Sequence, residues 1–117
     1  MAAPNIVNVT TISGKTAVQA VGTSATAIVS NAGSSGTVVK VNALYVGNKD
    51  TSVAYKITVD IYRSSTAYSM LYQSSIAAGA TLDVLSKAIY LEEGDALRLT
   101  ADSATKLEAV CSYEVIS

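Results

Sequence analysis

The sequence contains no histidine, tryptophan or phenylalanine, and it has one cysteine and one proline in 117 residues. Without histidine, Ser-His-Asp and Cys-His nucleophilic sites in their usual form are excluded, together with the commonest general base. The commonest zinc ligand is also missing, and the single thiol of Cys111 can form neither a thiolate metal site nor an intrachain disulfide. We therefore predict no catalytic residues, no metal ligands and no cofactor, in a chain that is not an enzyme.

Charged residues are few and scattered, and the net charge is −1. The lysines and arginines stand singly, so no basic cluster can follow a phosphate backbone, and we predict no nucleic-acid partner. No apolar run is long enough to cross a membrane, and the first residues lack a charged start followed by a hydrophobic core. The sequence therefore predicts no membrane partner and no signal peptide.

The residues that are abundant favour β-structure. Valine, isoleucine and tyrosine form short runs that are separated by glycine, serine and asparagine. About eight to ten such runs, with no amphipathic helix, predict an all-β fold: an antiparallel β-sandwich that is jelly-roll-like, with a closed barrel as the alternative. The length is that of one domain, so we assign residues 14–117 to a single β-sandwich domain and residues 1–13 to an extended N-terminal arm or first strand.

Two regions show the alternation of buried and exposed positions most clearly. Residues 53–63 predict a strand with one face in the core and one in water. Residues 88–100 predict a β-hairpin, because two alternating runs flank the turn-forming Gly94 and Asp95. Cys111 is predicted to face inward on the last strand, where a thiol behaves as a small hydrophobe.

Two segments carry apolar residues beyond what one buried face requires. The N-terminal segment is predicted either to begin the sheet or to act as an arm that adds a strand to a neighbouring subunit. Residues 37–46 carry apolar residues on both faces, which predicts a central strand or an outer face that is covered by a partner. The candidate partner or subunit contacts are Ile6, Val7, Val9, Ile12, Val38, Leu44 and Val46.

Two further clusters leave alternatives open. Glu92, Glu93 and Asp95 are predicted to form a solvated turn, and a calcium site that adds Asp102 or Asp50 is the alternative. The seven tyrosines are mostly predicted to lie in the core or in cross-strand pairs, and an exposed glycan-stacking face is the alternative.

Two stretches are familiar in combination: PNIVNVTTISGKT at residues 4–16, and IYLEEGDALRLTA at residues 89–101, followed by residues 107–116 ending in CSYEVI. Together they resemble small virion structural proteins of tailed bacteriophages, especially phages of marine cyanobacteria and their neighbours. The resemblance spans nearly the whole chain, including residues 41–48, and includes no catalytic motif.

The resemblance implies a non-enzymatic structural component of a phage virion, made in the host cytoplasm and located in the particle. A capsid decoration (cement) protein that binds the head lattice as an oligomer is the favoured role, with the major capsid protein or another virion protein as partner. A trimer is favoured because capsid lattices offer local threefold sites. The alternatives are a neck, tail or baseplate/fibre protein, or a glycan-binding module on the virion.

Overall fold

The computed structural model describes residues 9–117, and every regular element in that range is a β-strand. This confirms the prediction of an all-β fold. The strands are β1 (Ile12–Ala20), β2 (Thr26–Ser30), β3 (Val38–Asn48), β4 (Tyr55–Arg63), β5 (Thr66–Ile76), β6 (Thr81–Asp83), β7 (Ile89–Leu91), β8 (Ala96–Ala101) and β9 (Leu107–Ile116).

The strands form two antiparallel sheets. The first sheet has the order β1-β9-β3, with β6 and β7 both paired to the far side of β3, and the second has the order β2-β8-β4-β5. The pairing is nested: β1 pairs with β9, β2 with β8, β3 with β6 and β7, and β4 with β5. If β6 and β7 are counted as one interrupted strand, this is the strand order of an eight-stranded jelly roll, which confirms the predicted sandwich over the closed barrel.

The core lies between the two sheets and receives apolar side chains from both of them. Each fully buried valine, leucine or isoleucine contributes about 1.5–3 kcal/mol through removal of its surface from water. The largest fully buried side chains are Leu44, Ile57, Leu91, Leu97, Leu99, Leu107, Val21, Val41, Val46, Val59 and Cys111.

The segment predicted to be a hairpin is a corner between the two sheets. Strand β7 pairs with β3 in the first sheet, whereas β8 pairs with β2 and β4 in the second. The predicted faces are right, because Leu91, Leu97 and Leu99 are all fully buried. The predicted pairing was wrong, because alternation specifies faces and not neighbours: strands that bury side chains in one core can lie side by side or on opposite sheets.

Two buried asparagines fasten the loops at the ends of the sandwich. The side-chain amide of Asn31 donates to the carbonyl oxygens of Thr37 (2.9 Å) and Leu91 (3.1 Å), which ties the β2–β3 loop to the corner after β7. The amide of Asn48 donates to the carbonyl of Ile76 at 2.9 Å. Amide groups can be buried at these positions because they satisfy backbone acceptors that the strands leave open.

The connection between β4 and β5 is a two-residue turn with both residues in the left-handed region. Ser64 has a φ of 51° and Ser65 a φ of 60°, between the paired residues Arg63 and Thr66. Two consecutive positive φ angles define a type I′ turn, whose twist matches that of the flanking strands and which favours glycine at its second position.

We expect Ser65→Gly to raise the free energy of unfolding by about 0.5–1 kcal/mol, because relief of left-handed strain exceeds the entropy cost of glycine. Urea unfolding measures the change. Ser86→Gly is the matched control: Ser86 is exposed and is not among the residues with positive φ, so glycine there should destabilise slightly. Equal effects of both substitutions would contradict the turn assignment.

Candidate functional site

A β-bulge in β3 changes the direction of the side chains that follow it. Val41 pairs with Tyr113 and Ala43 pairs with Ser112, so Asn42 is an extra residue with no counterpart on β9. One extra residue shifts the alternation of a strand by one position. Strict alternation, which was assumed across residues 37–46, therefore fails at Asn42.

The bulge turns both halves of β3 toward the core. Leu44 and Val46 follow the bulge, and each has an exposure of 0%. The prediction that these two residues contact a partner was therefore wrong, because strict alternation would have placed them outside. Val38 is also buried, at 8% exposure, although it does not belong to the core cluster, so it offers no exposed contact either.

The N-terminal candidates divide between the sheet and the part of the chain outside the described residues. Ile6 and Val7 lie outside the described residues, and Val9 is half-buried. Ile12 begins β1, pairs with Ile116 and is 54% exposed. The backbones of Thr11 and Ser117 also exchange hydrogen bonds in both directions, each 2.9 Å long, so the sheet already includes residues 11–13.

An exposed apolar row that we had not predicted crosses the outer face of the first sheet. Val110 on β9 pairs with Val18 on β1 and with Tyr45 on β3. These side chains are 41%, 76% and 44% exposed respectively. Directly opposed side chains on one face lie about 4.5–5.5 Å apart at their Cβ atoms, so Val18, Val110 and Tyr45 form one continuous surface, which we call the apolar row.

The outward positions around the apolar row are neutral on one side and charged at the other edges. The next row is Thr16, Ser112 and Ala43, which are small and uncharged. On that side, charge appears one row further out at Glu114 and Lys40. On the opposite side the adjacent row already contains Glu108, whose carboxylate lies 3.4 Å from the Lys49 ammonium, and the exposed Asp83 pairs with Tyr45 at the end of the apolar row. A neutral centre within a charged rim is typical of protein-binding surfaces.

The outer face of the second sheet is different, because a paired charge lies at its centre. Arg98 donates from Nε to Asp60 at 2.8 Å and from Nη2 at 3.3 Å, and the guanidinium lies 4.0 Å from the Tyr62 ring centroid. The Asp60 side chain is only 7% exposed, and its hydrogen bonds with Arg98 raise the pKa of the guanidinium. A face with satisfied charges at its centre has little to gain from burial against a partner.

The acidic cluster around Gly94 is a structural anchor. Asp95 is buried and accepts hydrogen bonds from Arg63 Nε (2.7 Å), from Arg63 Nη2 and from the backbone N–H of Glu92 (2.8 Å). Glu92 also contacts Arg63 Nη2 at 3.0 Å, and Glu93 accepts from the Gly36 N–H at 2.9 Å. The prediction of a solvated turn was therefore wrong for Asp95. The bonds from Arg63 hold the pKa of the Asp95 carboxyl below its ordinary value.

The carboxylates of the calcium alternative are engaged at separate places. Asp50 accepts from the N–H groups of Ser52 and Val53 and from Lys106 Nζ at 3.1 Å, which together lower the pKa of the Asp50 carboxyl. Asp102 accepts from the Lys56 N–H at 3.0 Å. Within residues 9–117, no three His, Cys, Asp or Glu side chains lie close enough together to hold a metal ion.

Cys111 lies in the core, as predicted for the last strand. Its exposure is 0%, and burial raises the pKa of the thiol to about 11. A thiol with a raised pKa is protonated at neutral pH and is therefore a poor nucleophile. The side chain acts as a small apolar filler between the sheets.

A second exposed apolar feature is a groove on the open side of the sandwich, between β5 and β7. Its volume is about 440 Å³, and it is lined by Ile61, Arg63, Tyr68, Met70, Ile89 and Tyr90. Tyr68 and Tyr90 are 59% and 44% exposed. With Tyr45 and Tyr72, four of the seven tyrosines are exposed, although Tyr45, Tyr68 and Tyr90 each lie opposite a residue of a neighbouring strand.

Comparison with known proteins finds no matching protein family and no curated protein of significant similarity. No helix in residues 9–117 is long and apolar enough to span a membrane. The surfaces themselves therefore carry the functional inference. The described residues offer two candidate docking features, the apolar row on the first sheet and the groove beside β5.

Proposed function

We propose that the chain is a non-enzymatic structural component of a phage virion, a capsid decoration protein that binds the head lattice as a symmetric oligomer. The observation that carries this proposal is the apolar row of Val18, Val110 and Tyr45, which has a neutral row on one side and charged side chains at its other edges. A surface of this kind excludes water at its centre and orients its partner at its edge. It binds without any chemistry at the contact.

Two further observations support the virion setting. The resemblance of residues 4–16 and 89–101 to small structural proteins of tailed phages suggests the particle. The jelly roll is a fold that viral capsid domains use, although lectin domains use it as well, so the fold favours the role by analogy only. The docking surface is the feature specific to this chain.

The difference between the two outer faces suggests the orientation on the particle. The first sheet would lie against the lattice, because its outward centre is apolar and its removal from water is favourable. The second sheet would face the solvent, because its central Asp60–Arg98 pair is already satisfied within the protein. Candidate lattice contacts are therefore Val18, Val110 and Tyr45, in place of the buried Leu44 and Val46.

We expect Val110→Asp to abolish binding to particles that lack the protein, because it places a charge at the centre of the apolar row. Ala27→Asp is the matched control: it adds the same charge on the outer face of the second sheet, where Ala27 is exposed beside Arg98. Co-sedimentation of purified protein with particles measures binding. Equal loss, or equal retention, in both variants would contradict docking through the first sheet.

Location in the particle distinguishes the head role from its alternatives. A cryo-EM reconstruction of virions should show density of this domain at repeated positions of the head lattice, with the first sheet against the capsid. Density confined to the neck, tail or fibres would assign the chain there. Absence of the protein from virions by mass spectrometry would overturn the proposal.

The glycan-binding alternative has its own candidate site in the groove beside β5. Tyr68 and Tyr90 present exposed rings there, and sugars stack on such rings through their apolar faces. Saturable binding to host polysaccharide that is lost in Tyr68→Ala and kept in Val110→Asp would favour this role over lattice binding.

A further inference from the structure

Strand β5 is an open edge of the second sheet. Within the described residues its only strand partner is β4, so the N–H and C=O groups on its other side face away from the sandwich. An edge of this kind can accept another strand through backbone hydrogen bonds. Eight of its eleven residues are exposed, and the groove lies along its inner side.

The other edges of the described sheets are less suited to receive a strand. Strand β1 carries Lys15, and a charged residue on an edge opposes pairing. Strands β6 and β7 have three residues each, and β2 has five. Strand β5 has eleven residues and no charged side chain.

The segment of β5 that can pair regularly is residues 66–69. It begins at the type I′ turn and ends before Met70, an extra residue between the paired residues Ser69 and Leu71. Further along the strand, Gln73 has a φ of 46° and its N–H bonds to Thr58 Oγ1 at 3.1 Å. In a two-residue hairpin, the residues that flank the turn bond to each other, so the backbone groups of Thr66 face β4. The backbone groups of Ala67 and Ser69 therefore face outward, because the direction alternates along a strand.

We propose that this edge pairs antiparallel with the same segment of a second copy across a twofold axis. Ala67 of one copy would bond to Ser69 of the other, and the two Tyr68 side chains would meet at the axis. The second copy is the occupant because the segment is uncharged, so self-pairing brings no like charges together. The nearby charge of Arg63 is already matched by Asp95 and Glu92.

The paired tyrosines also explain the position of the groove. Tyr68 lies opposite Ile61, which is half-buried and packs against the core, so the Tyr68 ring is on the inner side of β5 beside the groove. Two such rings at the twofold axis would cover the apolar mouths of both sandwiches. Aromatic cross-strand pairs of this kind stabilise sheets.

The contact is isologous, so it produces a dimer or the twofold contact of a larger symmetric assembly. A trimer built on a threefold axis alone would leave β5 unpaired. The inference does not depend on the virion role, because it concerns the free protein in solution. The lattice-binding and dimer tests can therefore fail independently.

Light scattering with size-exclusion chromatography tests the contact over roughly two decades of protein concentration. The unaltered chain should form dimers, and Tyr68→Lys should raise the dimer dissociation constant at least about tenfold, because two lysines would meet at the axis. Ser69→Pro should have the same effect, because proline removes an outward N–H without breaking a bond to β4. Tyr72→Lys is the matched control: it is the same substitution on the same strand, outside the paired segment.

Circular dichroism must show that each variant remains folded. If either Tyr68→Lys or Ser69→Pro does not fold, the other still tests the contact. A monomeric unaltered chain, a trimer insensitive to Tyr68→Lys, or equal effects of Tyr68→Lys and Tyr72→Lys would overturn the inference. The N-terminal segment of a second copy is another strand that could pair with the β5 edge, and deletion of residues 1–8 distinguishes it from β5 self-pairing. A dimer that survives this deletion supports β5 self-pairing, and a dimer that is lost with it assigns the contact to the N-terminal segment.

Discussion

Asp95→Asn is expected to lower the free energy of unfolding by about 2–3 kcal/mol, a large part of the stability of a domain of this size. The Asp95 side chain is 2% exposed, and its two oxygens accept hydrogen bonds from Arg63 and from the Glu92 N–H. The amide of asparagine cannot accept from both Arg63 nitrogens and the backbone together. The expected loss in the free energy of unfolding is smaller than for a fully buried ion pair because the Arg63 side chain is 47% exposed.

The location of Asp95 explains why one carboxylate has such an effect. Arg63 ends β4 in the second sheet, whereas Glu92 follows β7 in the first sheet. The Asp95 carboxylate therefore joins the corner between the sheets to the β4–β5 hairpin. Thermal unfolding should show a decrease in Tm of about 8–12 °C for Asp95→Asn.

The effect should depend on pH in a defined direction. The pKa of Asp95 is lowered in the folded chain, so the folded state binds the proton less tightly than the unfolded state. The stabilisation is therefore present above the ordinary carboxyl pKa of about 4 and is lost as the pH falls through the folded value. Asp95→Asn lacks this titration, so its stability should approach that of the unaltered chain between about pH 6 and pH 3.

Glu92→Gln is the control for a nearby charge that is mostly exposed. The Glu92 side chain is 71% exposed, so its pair with Arg63 is screened, and the substitution should change stability by less than about 0.5 kcal/mol. Urea unfolding at both pH values measures all three proteins. A difference between Asp95→Asn and the unaltered chain that stays constant with pH would show that the charge of Asp95 is not what stabilises the corner.

The importance of Asp95 could not be predicted from the sequence, because its partner Arg63 lies 32 residues away. The residues around Gly94 predicted a turn, and a turn is what they form. A turn within a hairpin would be solvated, but a turn between two sheets lies against the hairpin of the opposite sheet. The wrong strand pairing and the wrong burial of Asp95 thus have one cause, since local alternation contains no information about which strands are neighbours.

The sequence predicted correctly which side chains face the core wherever the pairing between strands is regular. Ile57 and Val59 are fully buried, as the alternation of residues 53–63 predicts, and so are Leu107 and Cys111 on β9. The same alternation places Val110 outward. Val110 forms an apolar surface only together with Val18 and Tyr45, which come from distant parts of the chain. The candidate docking surface could therefore be predicted only with knowledge of how the three strands β1, β9 and β3 pair in register.

Strand β3 gives the second large effect, through deletions of a single residue. Deletion of Tyr45 should lower the free energy of unfolding by about 3 kcal/mol or more. If the residues after the deletion move, Val46 turns outward and Gly47 enters the core. If the residues before it move and absorb the bulge, Leu44 turns outward and Ala43 replaces it. Either way, a fully buried side chain is lost and a cavity remains.

Deletion of Asn42 should be tolerated, with a change within about 1 kcal/mol, although it removes a residue from the centre of the same strand. Val41 and Ala43 pair with adjacent residues on β9, so the shortened strand would form an unbroken ladder. Leu44 and Val46 would remain in the core, and only an exposed amide contact to Glu114 at 3.4 Å would be lost. Urea unfolding followed by circular dichroism compares the two deletions. If deletion of Asn42 is as destabilising as deletion of Tyr45, the bulge is not what brings both halves of β3 into the core.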